Sequence, residues 1–201
     1  MIKLIDLIKE EDNKIIIPRN MEGRKEKHLQ IIYQQIQDYI KAGSNGDLML
    51  KKTLIETLPN NLKKVGGDLN LSFSKIETLP DNLQVAGDLN LIHTPITTLP
   101  NNLQVDGVLN LINSSVKTLS SNLQVGKALY LNDTQVKSLP SNLQVGDLNL
   151  YHTMITTLPD NLQIKGNLEL KRTPIAEKYS KEEIRKMIED AGGFVKGNIY
   201  I

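Results

Sequence analysis

The chain has no cysteine and no tryptophan, and among its 201 residues it has only three histidines, six tyrosines and two phenylalanines. Without cysteine there are no disulfides, no thiolate metal sites and no thiol nucleophile, a composition suited to a reducing compartment. Net charge is almost absent as well. Lys plus Arg number 24 against 23 Asp plus Glu, so the field of the whole molecule is weak, which argues against nucleic acid as the main partner. No apolar run reaches the roughly 20 residues needed to span a bilayer. The opening "MIKLIDLIKEEDNK" carries Asp6, Glu10, Glu11 and Asp12 and no small-residue cleavage site. A cytoplasmic protein without a membrane partner is the expectation.

What is present is repetition. An "LxL" unit begins at Leu48, Leu69, Leu89, Leu109, Leu129, Leu148 and Leu168, in steps of 21, 20, 20, 20, 19 and 20 residues. A constant period near 20 is the mark of stacked repeats. Further columns run through Leu50 to Leu170, through Ile55, Ile76, Ile96, Val116, Val136, Ile155 and Ile175, and through Leu58, Leu62 and Val65 with their equivalents. One coil cannot hide so many apolar side chains. Neighbours about 4.8 Å apart turn each column into a continuous buried ladder.

Within a unit, "LQVAGDLNL" at 83–91 alternates with period two, which predicts two short strands with a bend at Gly87. The single 19-residue step loses its residue at this bend. Proline after the fourth column, as at Pro80 and Pro100, marks a second corner. The Thr/Ser column (Thr53, Ser74, Thr94, Ser114, Thr134, Thr153, Thr173) and the Asn column (Asn61 to Asn161) are expected to satisfy backbone groups turned inward at corners. Asp68, Asp88 and Asp147 are expected to bond turn amides.

The ends of such a stack need caps. Leu29, Ile32, Tyr33, Ile36 and Ile40 fall at helical spacing between Glu22 and Ala42, with Gly43 as a stop. This helix, with the "MIKLIDLIKE" segment, is expected to close one end, its basic run Arg19, Arg24, Lys25 and Lys27 forming a solvated face. At the other end, Ser180 and Glu183 spell a capping box, Tyr179 can staple to Ile184, and Gly192 ends the helix. The tail "VKGNIYI" repeats "IKGNLEL" at 164–170, so this helix is an insertion in the last coil. Residues Asn198, Ile199, Tyr200 and Ile201 then form an open strand edge, a candidate for self-association into a homodimer, with Lys196 as a partial guard.

The predicted fold is therefore a repeat solenoid, mainly β with helical caps, in one continuous domain. It comprises an N-terminal cap (1–45), seven coils (46–178) and a C-terminal helix with a final strand (179–201). The unit "LPDNLQVAGDLNLIHTPITT" resembles the short bacterial leucine-rich repeats, including those of secreted ubiquitin-ligase effectors, and similar arrays in tailed-phage proteins. The likeness covers residues 47–175. It implies a leucine-rich-repeat horseshoe, but Thr or Ser stands where the common signature has asparagine, and the "GD" bend interrupts the first strand, so a parallel β-helix is the alternative. In the effectors the repeats recognise a protein, while a separate domain with a cysteine nucleophile does the chemistry. With no cysteine here, the resemblance implies recognition rather than catalysis.

The residues carry the same message. His93 and His152 lie three coils apart, roughly 15 Å at about 4.8 Å per coil, too far to share a metal. No phosphate loop, nucleophile elbow or dinucleotide fingerprint is written in the chain. Neither a cofactor, a metal nor a catalytic residue is expected. The letters free to vary are the two x positions of "LxLx", whose side chains leave the core. Ile92, Ile112, Tyr130 and Tyr151 make an apolar stripe there, bordered at the corner by Phe73, His93, Asn113, Asp133 and His152 and ended by Lys171. Exposed aromatic clusters mark interaction surfaces, so a protein partner on this face is the leading expectation. Self-assembly through the C-terminal edge and a sugar- or nucleotide-binding β-helix are the alternatives.

Overall fold

The computed structural model describes residues 21–201; the "MIKLIDLIKE" segment and Arg19 lie outside them. Helix α1 (Met21–Lys41) leads into strands β1 (Leu48–Met49), β2 (Lys64–Val65), β3 (Leu69–Asn70), β4 (Gln84–Val85), β5 (Leu89–Asn90), β6 (Gln104–Val105), β7 (Leu109–Asn110) and β8 (Gln124–Val125). Strands β9 (Ala128–Tyr130), β10 (Gln144–Val145), β11 (Asp147–Asn149), β12 (Gln163–Ile164) and β13 (Leu168–Glu169) follow. Helices α2 (Pro174–Lys178) and α3 (Lys181–Asp190) precede β14 (Phe194–Val195) and β15 (Ile199–Tyr200). The odd strands pair in parallel as one eight-stranded wall, in the order β1-β3-β5-β7-β9-β11-β13-β15. The even strands form a second wall, split into β2-β4-β6-β8 and β10-β12-β14. The protein is a parallel β-solenoid.

Each coil's leucine pairs with its equivalent one coil away, Leu69 with Leu89 and Leu89 with Leu109, so the sequence period becomes the sheet register. Ile55, Ile76, Ile96, Val116, Val136 and Ile155 are completely buried. The tail builds an eighth coil: β14 pairs with β12, and β15 with β13.

The bend sets how closely coils can approach. Gly87 N–H donates to Gly67 O at 2.9 Å, and Gly107 N–H to Gly87 O at 3.0 Å. A Cβ on Gly107 would stand 2.6 Å from Gly87 O and 2.7 Å from its carbonyl carbon, closer than real atoms come. Beside these glycines, Asp47, Asp68 and Asp88 each accept the amide of residue 68, 88 or 108 in the next coil at 2.8 Å. That ladder lapses where Val108 and Ala128 occupy the Asp position, and it resumes from Asp147 to Asn167 N. The split in the second wall falls between β8 and β10, which are 20 residues apart, whereas β10 and β12, 19 residues apart, pair. Its two flanking bends are the ones that depart from the pattern: the first shifts its glycine to Gly126, the second is one residue short.

The Thr/Ser column behaves as expected except at Ser114, whose hydroxyl is buried without a partner. Hydroxyls of Thr94, Thr134 and Thr153 donate to the carbonyls of Leu91, Leu131 and Leu150 at 2.7 to 2.8 Å. The Asn column does not. It lies on the outside, where Asn82, Asn102, Asn142 and Asn161 take left-handed φ of 54 to 61°. There the amide of Asn102 donates to Asn82 Oδ1 at 2.9 Å, that of Asn122 to Asn102, and that of Asn161 to Asn142. Asparagine tolerates that backbone better than other chiral residues, which is the reason for its recurrence.

The N-terminal end is closed by α1, whose Ile32 and Ile36 are buried. Its Tyr39 hydroxyl donates to Ser44 O and Gly46 O and accepts from Gly66 N. At the other end, Ile184 and Ile188 of α3 are buried, and Ser180 with Glu183 forms the expected capping box. The Ser180 backbone N–H, and after it the hydroxyl, holds the Glu183 carboxyl below its ordinary range. Gly192, at φ 79°, closes a Schellman turn, with Gly193 N–H on Ile188 O and Gly192 N–H on Glu189 O. Helix α2 was not foreseen; Thr173 caps it by accepting from Ala176 N, and Pro174 opens it. Among the described residues no helix is long and apolar enough to cross a membrane.

Gly107→Ala forces the bend backbones apart. It is expected to lower folding stability by about 1–3 kcal/mol in urea titration, the usual cost of overpacking.

Candidate functional site

On the eight-stranded wall, the first x position of "LxLx" proves to be structural in most coils. Asn70, Asn90, Asn110 and Asn149 turn their side-chain oxygens onto the amides of Ser72, Ile92, Ile112 and Tyr151 two residues on, at 3.0 to 3.2 Å. Glu169 does the same for Lys171 at 3.0 Å. Tyr130 sits in this column and has no acceptor to offer there. Like Met49 in the first coil, it gives up a bond that the other five coils keep, and the Asn132 side-chain oxygen nearby is buried without a partner. Ile92, Ile112, Tyr130 and Tyr151 are half-buried along the wall. The stripe is therefore less bare than the sequence suggested: each side chain is partly shielded by its neighbours on adjacent strands.

The corner row is the more exposed feature. Lys52, Phe73, His93, Asn113, Asp133, His152 and Arg172 stand one above another in seven successive coils, all exposed. All seven adopt left-handed backbone, with φ between 52 and 59°. Phe73, Asn113, Asp133, His152 and Arg172 are each the third residue of a β-turn closed by an amide of the Thr/Ser column, as in Ser74 N–H to Leu71 O at 3.1 Å and Thr173 N–H to Leu170 O at 3.1 Å. A turn of that hand favours Gly or Asn at this place. Asn113 and Asp133 suit it, and His93 and His152 tolerate it. A lysine, a phenylalanine and an arginine are held in a conformation that costs such residues about 1–2 kcal/mol each. Backbone outliers of this kind concentrate where side chains act.

The ridge side chains interact along its length. The Phe73 ring lies 4.9 Å from that of His93, and the His152 ring 6.2 Å from Tyr151. His152 Nδ1 is 2.7 Å from Asp133 Oδ1, and Arg172 lies over the Tyr151 ring at 5.4 Å. Lys171 reaches Glu169 at 3.6 Å and stands over the Tyr200 ring. Phe73, at 53% exposed, is joined by Met154 at 54%, one turn position beyond His152. The predicted site residues thus form one surface. Lys52, Arg172 and Met154 belong to it and were missed. The signal for the first two was the recurrence of Asn and Asp in their column, which betrays a left-handed position.

Six of the seven ridge amides, all but that of Arg172, are already used. Phe73, His93, Asn113, Asp133 and His152 each donate to a carbonyl of the next coil at 2.8 to 3.1 Å. Any ligand must therefore be read by side chains. Among the described residues no group of three or more His, Cys, Asp or Glu side chains could hold a metal ion.

If the backbone is strained at the ridge, relieving it should show as stability. Lys52→Asn and Arg172→Asn are each expected to raise the urea midpoint, by up to about 1 kcal/mol, and unchanged or lower midpoints would remove the strain argument. No protein-family model matches the chain, and no curated protein matches it.

Proposed function

We propose that the protein is a non-catalytic binding module that recognises a folded protein through the ridge and the adjoining stripe. The observation that carries this reading is the row of seven exposed, left-handed residues, three of them (Lys52, Phe73 and Arg172) of types the turn disfavours. A sequence selected for stability alone would place Gly or Asn there, as it does in the opposite Asn column. Tyr130 adds independent support, because it replaces an Asn that would have bonded the backbone. Seven coils span about 30 Å at 4.8 Å each, enough for an interface of about 800 Å² per partner. Because six of the seven ridge amides are bonded within the stack, the partner engages side chains, as a preformed surface does.

The resemblance to short bacterial and phage repeats supports a cytoplasmic, bacterial or phage role, with a host factor as partner. Phe73 and Met154 are the apolar anchors, and the Asp133–His152 pair, Tyr130 and Tyr151 supply the polar and aromatic contacts between them.

Tyr130→Ala combined with Tyr151→Ala is expected to leave circular dichroism and thermal melting nearly unchanged while abolishing capture of the partner that the unaltered chain retains from lysate. Capture that survives both this variant and Phe73→Asn with Met154→Ala would place the binding surface elsewhere.

A further inference from the structure

The backbone hydrogen bonds of the stack have a direction, and each end is left with groups of a definite kind. On the second wall and at the bend, an amide of each coil donates to a carbonyl of the coil before: Ala86 to Val65, Lys196 to Ile164, Gly197 to Gly166, at 2.8 to 2.9 Å. After the eighth coil, the carbonyls of Val195 and Gly197 would therefore await the amides of a ninth. Arg185 of α3 supplies both donors instead, Nη1 to Val195 O at 2.5 Å and Nη2 to Gly197 O at 3.0 Å. One guanidinium stands in for two amides and shuts this wall to further coils.

The first wall is not shut. Leu168 and Leu170 donate to Asn198 O and Tyr200 O, so β15 turns these groups inward to β13. Since both polar groups of a strand residue face the same side, Ile199 N–H, Ile199 C=O and Ile201 N–H face outward. No group among the described residues bonds them. The expected guard is not there: Lys196 lies over the Phe194 ring at 5.6 Å, on the second wall. Beside the edge is a notch of about 240 Å³ lined by Lys181, Glu182, Arg185, Asn198, Ile199 and Tyr200. The Ile199 side chain is buried in the core, whereas Tyr200 and Ile201 are each 37% exposed.

We propose that the outer edge of β15 docks one extended strand of a partner protein, which places an acidic side chain in the notch. Main-chain pairing with Ile199 and Ile201 provides the affinity, and the notch provides selectivity. A second copy stacked as a further coil is blocked, because Arg185 occupies its hydrogen-bonding positions. The notch walls carry two cations against one carboxylate, so a carboxylate on the incoming strand is the complementary charge. This site works through the backbone, the ridge through side chains, and the two are independent.

The test uses the full chain, labelled for NMR, and a peptide copying Gly146–His152, the chain's own first-wall strand with its Asp147. Saturable binding is expected, with exchange of the Ile199 and Ile201 amides slowed by about tenfold or more at saturating peptide. Lys181→Glu should weaken binding by about tenfold. Phe73→Asn with Met154→Ala should leave it unchanged, which separates this site from the ridge. Methylating alternate peptide nitrogens should abolish it. The proposal is overturned by absence of binding, by binding that survives methylation, or by protection of the two amides that rises with protein concentration alone and accompanies a dimer mass, which would make a second copy the occupant.

Discussion

The structure depends on the approach of one coil's backbone to the next at the bend. Carbonyl and amide meet there at 2.7 to 3.1 Å from Gly67 to Gly197, with no space for a side chain between most of them. That contact fixes the stacking distance, and the stacking distance makes six apolar columns into one interior. Each coil alone would expose its leucines; in the array, Leu89, Leu91 and Ile96 have no exposure. Stability here is a property of neighbours, as expected of a one-dimensional array.

Much of this could be read from the letters, because a column repeated every 20 residues averages out the ambiguity of any single position. The strands either side of Gly87, the capping box at Ser180 and the return of the tail as an eighth coil are each legible for that reason. Features that occur once are harder. Arg185 is an ordinary helical residue until its two carbonyl partners are seen, and α2 hides in a Thr-Pro step that elsewhere, at Thr94-Pro95, makes only a turn. The Asn column was misplaced because polar residues at a corner fit an inward or an outward role equally well. Its left-handed φ, which decides the matter, is a property of backbone that sequence reports only through residue preference.

The same preference explains what the candidate site owes to sequence. Phe73, His93, Asp133, His152, Tyr130 and Tyr151 were recognisable as residues the ladder leaves free. That seven corner residues share a left-handed backbone was signalled only by Asn113 and Asp133, a signal that the other residue types in the column obscure. The conflict between residue type and turn is the informative part: local preference and global fold agree along the rest of the coil and disagree at the ridge, as they do where a protein's surface is used.

The interruption between β8 and β10 has a mechanical meaning. Through the rest of the stack each coil is tied to its neighbour by two walls, but here the first wall alone carries the strand pairing. This gap in the second wall lies at the step of the ridge between Asp133 and His152, which are bridged by a side-chain contact at 2.7 Å, while Asp147 N–H still donates to Lys127 O across the bend at 3.1 Å. Bending or partial opening of the rod will concentrate at that joint, so a partner gripping both sides at once would act as a splint across it.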